Sequence, residues 1–281
     1  MNLPACRVNS YRSGLLALAF ALSACANLNP TPPPALSGER IAALVASPER
    51  SAADRSNDVH RKPEQMLAFI GVRPGMVALD LSAGGGYTTE LLARAVQPGG
   101  RVYAQSAPRA ADAKAPATPE GGAAPAAPAP GARKTSAQAL AERAARRSNL
   151  IPVVRPFEDP LPPEVAAGGL DLVTLMLNYH DLGHMGVDRA RMNRAVFAGL
   201  KAGGMYVIAD HAGRPGTAIS ESGTLHRIDE AFLRQEVEAA GFKLAAEGNF
   251  LRNPADPRDK NTPEPAQPKD DFVLKFVKPS M

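Results

Sequence analysis

The sequence predicts an α/β fold: a doubly wound, mostly parallel sheet with helices on both faces. Three observations predict it. Strand-like and helix-like stretches alternate from Met76 to Ala240, the order that builds parallel sheets covered on both sides. A short apolar run at residues 76–81 passes through Gly84-Gly85-Gly86 into a helical pattern. Residues 170–177 form the most apolar run beyond the N-terminal segment, as a strand buried on both faces requires.

Taken in order, Pro63 suits a first helical turn, and Met66, Leu67, Phe69 and Ile70 supply an apolar face that Gly71 ends. Pro74-Gly75 turns the chain into the strand at 76–81. A helix is expected over 87–96. Pro98-Gly99-Gly100 leads into a second strand at 101–105. Residues 106–136 break the pattern: Gly122 to Gly131 reads GAAPAAPAPG, which has nothing to pack and predicts a disordered insertion. A helix at 137–147, a strand at 150–154, the strand at 170–177 and a helix at 189–200 follow. Lys201-Ala202-Gly203-Gly204 reads as a helix stop before a strand at 205–210. A helix at 230–240 ends at Gly241, and strands at 242–247 and 272–277 close the chain. Right-handed crossovers line the strand C-termini along one edge, where ligands bind.

Composition narrows the function. Of 281 residues, 44% are hydrophobic and 21% charged, which excludes a polytopic membrane protein and a wholly disordered chain. The 27 prolines and 24 glycines exceed the needs of one compact domain and imply linker or tail. Net charge is +4, and losing Arg7 and Arg12 with a leader takes it to +2; so small a charge gives no nucleic-acid surface. With no tryptophan and 5% aromatics, a base-stacking platform is not expected either. The two cysteines, Cys6 and Cys25, lie at the N-terminus, so the rest of the chain can hold neither a disulfide nor a thiolate zinc site.

Arg7 and Arg12 precede an apolar run at 15–24 and then Cys25. The run is about half the ~20 residues of a spanning helix and reads as a secretory signal. Leu22-Ser23-Ala24-Cys25 resembles the bacterial lipobox, in which the cysteine is lipidated. The expected organisation is a signal peptide at 1–24, a lipidated Cys25 with a proline-rich tether to 38 (Pro30, Pro32, Pro33, Pro34), and one folded domain at 39–281. That organisation places the protein in the cell envelope, anchored to the outer membrane through Cys25 and facing the periplasm. An ordinary signal cleaved after Ala24, or an N-terminal helix, is the alternative.

The glycine loop carries the functional information. A dinucleotide fold wants G-x-G-x-x-G with an acid about 20 residues on. Gly84 and Gly86 fit, but Thr89 stands at the third glycine and Gln105 where the acid belongs. The other class places an acid before the glycines. Here Asp80, Gly84 and Gly86, with Ser82 for the first glycine, resemble motif I of class I S-adenosylmethionine-dependent methyltransferases, D/E-x-G-x-G-x-G. Pro98-Gly99-Gly100-Arg101-Val102-Tyr103, Asp171-Leu172-Val173 and Leu200-Lys201-Ala202-Gly203-Gly204 agree with that family. More narrowly, the chain is similar to a bacterial family of predicted, often exported methyltransferases. That likeness rests on Arg61-Lys62-Pro63, Asn178-Tyr179-His180-Asp181, Asp210-His211, Leu225-His226-Arg227-Ile228-Asp229, Ala240-Gly241-Phe242 and Asp271-Phe272-Val273-Leu274.

The resemblance implies a seven-stranded sheet with an antiparallel last strand and S-adenosylmethionine as cofactor. It implies that Gly84 and Gly86 lie under the cofactor, with Ser82 and Asn178 beside it. Asp80 would orient the loop or meet the methionine amino group through water. Gln105 stands where an acid usually binds the ribose hydroxyls. Arg61 is either the partner of the methionine carboxylate or a solvated helix-end arginine.

Methyl transfer needs in-line placement above all, helped by a base when the acceptor is a hydroxyl or a protonated amine. His180 and Asp181 follow one strand, and Asp210 and His211 end another; they are the catalytic candidates, with strand-capping polar residues as the plainer reading. His180 and His184 would share a face only on a helix, and Gly183 argues against one; with no H-E-x-x-H, no metal site is expected. His226-Arg227 offers a substrate contact or a loop ion pair. The leading function is methyl transfer to a small-molecule or envelope acceptor. The runner-up is a non-catalytic, membrane-anchored ligand-binding protein that keeps the fold; a dinucleotide oxidoreductase and a metal hydrolase fit less well.

Overall fold

The computed structural model describes Met1, residues 33–108 and residues 134–280. The expected signal peptide, the lipidated Cys25, most of the tether and nearly all of the expected insertion lie outside the described residues.

Seven strands form one sheet in the order β3-β2-β1-β4-β5-β7-β6. They are β1 (Val77–Leu81), β2 (Arg101–Ser106), β3 (Leu150–Val154), β4 (Leu170–Met176), β5 (Leu200–His211), β6 (Lys243–Gly248) and β7 (Asp271–Val277). β1 pairs parallel with β2 and β4, β2 with β3, and β4 with β5. β7 runs antiparallel between β5 and β6. Chain order reverses direction across the sheet between β1 and β4, the switch point at which doubly wound folds open a crevice.

Among the described residues the α-helices are α1 (Gly38–Val45), α2 (Ala52–Arg61), α3 (Pro63–Ile70), α4 (Tyr87–Ala95), α5 (Ser136–Ala144), α6 (Asp181–His184), α7 (Arg189–Gly199) and α8 (Glu230–Ala239). Alternation along β1 divides the core. Leu79 and Leu81 pack with Met192, Val196, Leu233 and Val237 of α7 and α8. Ala78 packs with Ile41, Leu67, Leu92 and Leu140 of α1, α3, α4 and α5. A pleated strand with period two requires this division.

Local chemistry sets the ends. Ser37 and Ser51 cap α1 and α2 by accepting from the amides of Arg40 and Asp54, and Thr135 and Gln138 close a capping box on α5. α1 begins at Gly38. Two departures from the sequence reading matter. β5 begins at Leu200, so the expected helix stop at 201–204 is strand. The segment after β4 is helical from Asp181 to His184 despite Gly183.

Candidate functional site

The site begins with the loop from β1 to α4. Ser82 (φ 57), Gly84 (φ 55) and Gly86 (φ 82) are all left-handed, a region that costs side-chain-bearing residues about 1–2 kcal/mol. Ser82 therefore holds a glycine's conformation, and its neighbours support it. Its amide donates to Gln105 Oε1 at 2.8 Å, and its hydroxyl donates to Asn178 Oδ1 at 2.6 Å. We expect Ser82→Val to cost roughly 2–3 kcal/mol in urea unfolding, because a β-branched residue resists positive φ and the hydroxyl bond is lost. Ser82→Gly should stay within about 1 kcal/mol, relief of strain offsetting the lost bond. Equal losses in the two variants would refute a conformational origin.

Above the loop there is room. A Cβ added at Gly84 or Gly85 would meet nothing within 4 Å. At Gly86 it would strike the Arg143 side chain at 2.7 Å. Arg143, on α5, braces the loop from that side: its Nε donates to Gly85 O at 2.7 Å, and its two terminal nitrogens hold Asp54 at 2.9 and 2.8 Å.

Asp80 is buried beneath the loop. Its oxygens accept from Thr89 Oγ1 at 2.5 Å and Thr174 Oγ1 at 2.8 Å, tying α4 to β4. Burial pushes its carboxyl up to about 6, against those two bonds and the charge of Arg61. Of its two expected roles, orienting the loop is the one these contacts serve.

Gln105 is fully buried. Its Oε1 accepts from Ser82 and its Nε2 donates to Arg155 O at 2.6 Å. Both ends of the amide are engaged within the protein. The residue on the opposite face at the strand end is Ser106, whose buried hydroxyl oxygen has no hydrogen-bond partner among the described residues.

Arg61, at the end of α2, is partly buried with its guanidinium 5.1 Å from the Tyr87 ring centroid. Burial lowers its pKa, opposed by Tyr87, Asp271 and Asp80. It makes no hydrogen bond or ion pair among the described residues. Nearby Arg50, by contrast, grips Asp58 through two bonds of 2.7 Å.

The second half of the site follows β4. Asn178 Nδ2 donates to Asp181 Oδ2 at 3.2 Å, so one amide links the glycine loop to the histidine cluster. His180 is buried; its Nδ1 lies 2.5 Å from Asp210 Oδ1 and its amide donates to Asp210 Oδ2 at 2.7 Å. Burial opposes its charge, but Asp210 and Asp181 outweigh burial and raise it to about 10. Asp181 is held down to about 2: burial works the other way, and His180 and His226 prevail.

Asp210 and His211 are brought to the same place but lie behind His180. Asp210 is fully buried with both oxygens accepting. His211, also buried, meets Asp271 Oδ1 at 2.6 Å through Nδ1; burial drives its pKa well down and pushes Asp271 up to about 8. Asp210 positions His180, and the His211 ring lies 5.2 Å from the His180 ring, centroid to centroid. The open side belongs to Asp181 and to His226, whose Nδ1 is 2.7 Å from Asp181 Oδ1. Arg227, beside it, is the ion-paired member of the His226-Arg227 pair: it is fully buried against Asp256 at 2.8 and 3.2 Å.

No protein-family model matches the chain. A curated protein-L-isoaspartate O-methyltransferase of Aeropyrum pernix is 52% identical over 40 residues, 14% of this chain and 15% of that protein. Among solved structures, a SAM-dependent methyltransferase of Aquifex aeolicus superimposes with TM-score 0.52 at 15% identity, over 86% of this chain and 99% of its own. The geranyl diphosphate C-methyltransferase of Streptomyces coelicolor, solved with Mg²⁺, geranyl diphosphate and S-adenosyl-L-homocysteine, gives 0.51 at 13% identity over 88% and 90%. The arsenic(III) S-adenosylmethionine methyltransferase of Chlamydomonas reinhardtii gives 0.51 at 15% identity over 89% and 75%. The fold is therefore the Rossmann-like fold of these methyltransferases, with the seven-stranded order and antiparallel β7 expected from the sequence.

Proposed function

We propose that the chain is an S-adenosylmethionine-dependent methyltransferase acting on a small-molecule or envelope acceptor. One observation carries the reading: an open left-handed glycine loop at the switch point lies between a cation and a hydroxyl that lack partners among the described residues. The residues fit the cofactor. Gly84 and Gly85 leave backbone exposed to it, Arg61 suits its carboxylate, and the Ser106 hydroxyl suits a ribose oxygen. When bound, the cofactor supplies an electrophilic methyl group on a sulfonium. The chain's own part is to orient and exclude: Asp80 fixes the loop, Asn178 sets the spacing between loop and cluster, and Asp181 and His226 face the acceptor with His180 buried behind them.

Calorimetric titration of S-adenosylmethionine and S-adenosylhomocysteine into the full chain tests this. We expect one site of micromolar affinity. A folded chain that binds neither overturns the reading and leaves a binding protein for another ligand. The lipid anchor at Cys25 is a separate proposal, supported by the Leu22–Cys25 tetrapeptide. Labelled palmitate should enter the wild-type chain and not Cys25→Ala.

A further inference from the structure

We propose that His180, Asp181 and His226 bind one divalent transition-metal ion, with open coordination positions for an oxygen of the methyl acceptor. The acceptor clause rests on the methyltransferase reading; the metal site does not.

One ligand atom from each of the three residues lies within 4.8 Å of the others. His180 Nε2 is 3.2 Å from Asp181 Oδ1, yet it is buried and makes no hydrogen bond. Its other nitrogen is already committed to Asp210. Asp210 in turn is fixed by the amides of His180 and His211. A carboxylate on one imidazole nitrogen, with the other left to exchange its proton for a metal ion, is how metal-ligating histidines are held. Asp181 has the same kind of support, its second oxygen accepting from Asn178.

His226 comes from a distant loop and is held in a left-handed conformation, φ 51, which a non-glycine residue adopts only where its surroundings over-determine it. The next residue supplies that constraint, Arg227 being locked on Asp256 and on the carbonyls of Ala212 and Lys260. The strain aims the imidazole at Asp181.

Bonds of about 2.0–2.2 Å from nitrogen and oxygen to a metal put neighbouring donors about 3.0–3.4 Å apart. The two edges from Asp181 Oδ1, 3.2 and 2.7 Å, need little adjustment, and the ligand atoms of the two histidines lie within 4.8 Å of each other. Two imidazoles and one carboxylate suit Zn²⁺ or Fe²⁺ and leave positions free, whereas Mg²⁺ and Ca²⁺ prefer an all-oxygen set. Solvent reaches the cluster, since Asp181 and His226 side chains remain 25% and 27% exposed. His184 stands outside it, 3.7 Å from Asp181 Oδ1 and engaged with Ser222 Oγ at 3.1 Å. The expectation of no metal site considered only the pair His180 and His184; the partner it lacked is His226.

The test titrates chelator-treated, full-length protein with Co²⁺ and Zn²⁺, reading stoichiometry by calorimetry and ligand geometry from Co²⁺ visible absorption. We expect one equivalent, bound at micromolar affinity or tighter, with Zn²⁺ displacing Co²⁺. His226→Ala and Asp181→Asn, both at partly exposed positions, should weaken binding at least ~100-fold, and Asp210→Asn by about 10–100-fold as a supporting residue. Circular dichroism confirms that each variant is folded, and His184→Ala should bind as the wild type does. No stoichiometric Co²⁺ binding by the wild type, or binding that survives both His226→Ala and Asp181→Asn, overturns the site. Metal binding without S-adenosylmethionine binding removes only the acceptor role, and the converse removes only the metal site.

Discussion

Replacing Arg61 by methionine is expected to weaken S-adenosylmethionine binding by roughly 30-fold or more while barely changing the stability of the free protein. The two halves of that result come from one fact. Arg61 makes no hydrogen bond or ion pair among the described residues, only its stacking on Tyr87 at 5.1 Å. Removing it from the free protein forfeits a cation–π contact worth about 0.5–1 kcal/mol, and methionine retains most of the apolar stem. In the complex the same change leaves a carboxylate without its cation, which costs about 2 kcal/mol or more. Calorimetry checks the first half and urea unfolding the second. The control is 5′-methylthioadenosine, which lacks the carboxylate and should lose nothing. Equal loss for both ligands would place Arg61 elsewhere than at the amino-acid end.

Asp80→Asn should stabilise the protein, and by an amount that depends on pH. Asp80 is held up to about 6 by burial, whereas an unfolded aspartate titrates near ~3.9. Between those values the folded chain binds more protons than the unfolded one, so the contribution of Asp80 to stability falls as pH rises, and it is flat outside the window. Two units correspond to on the order of 2–3 kcal/mol. Asparagine keeps the shape and can serve both threonine hydroxyls, one as acceptor and one as donor. The variant's advantage should therefore be small at pH 4 and reach its full size above pH 6. Urea unfolding of both proteins at the two pH values measures it; a difference independent of pH would show that the carboxyl is not the source.

The glycine loop and the central strands were legible because residue type decides them. No other arrangement of 76–86 puts an apolar run against three glycines, and residues 170–176 have no polar face to offer solvent. α1 and α2 were not read, although Ser37 and Ser51 were there as caps. Residues 52–61 are too polar to show an apolar stripe, and α2 is held by ions, with Arg50 on Asp58 and Arg143 on Asp54. The start of β5 was missed because its glycines read as a stop, while backbone partners in β4 and beside Lys278 keep the segment extended. At the end of β2, Gln105 is engaged by Ser82 and Arg155 while the Ser106 hydroxyl on the opposite face has no partner among the described residues, a difference that polarity alone does not reveal. His226 could be found as a residue but not as a neighbour. It joins Asp181 across 45 positions of sequence, a contact set by a left-handed turn and a buried arginine.

The amide of Asn178 accepts from Ser82 on one side and donates to Asp181 on the other. Turning it over would break the bond to Asp181 and set the amide oxygen against that carboxylate. The glycine loop and the histidine cluster thus share one amide with a single favoured orientation. Whatever occupies one half and steadies that setting lowers the cost of filling the other. By linkage the benefit is mutual and equal in both directions, so the two ligands of this crevice would bind with positive cooperativity although neither need touch the other.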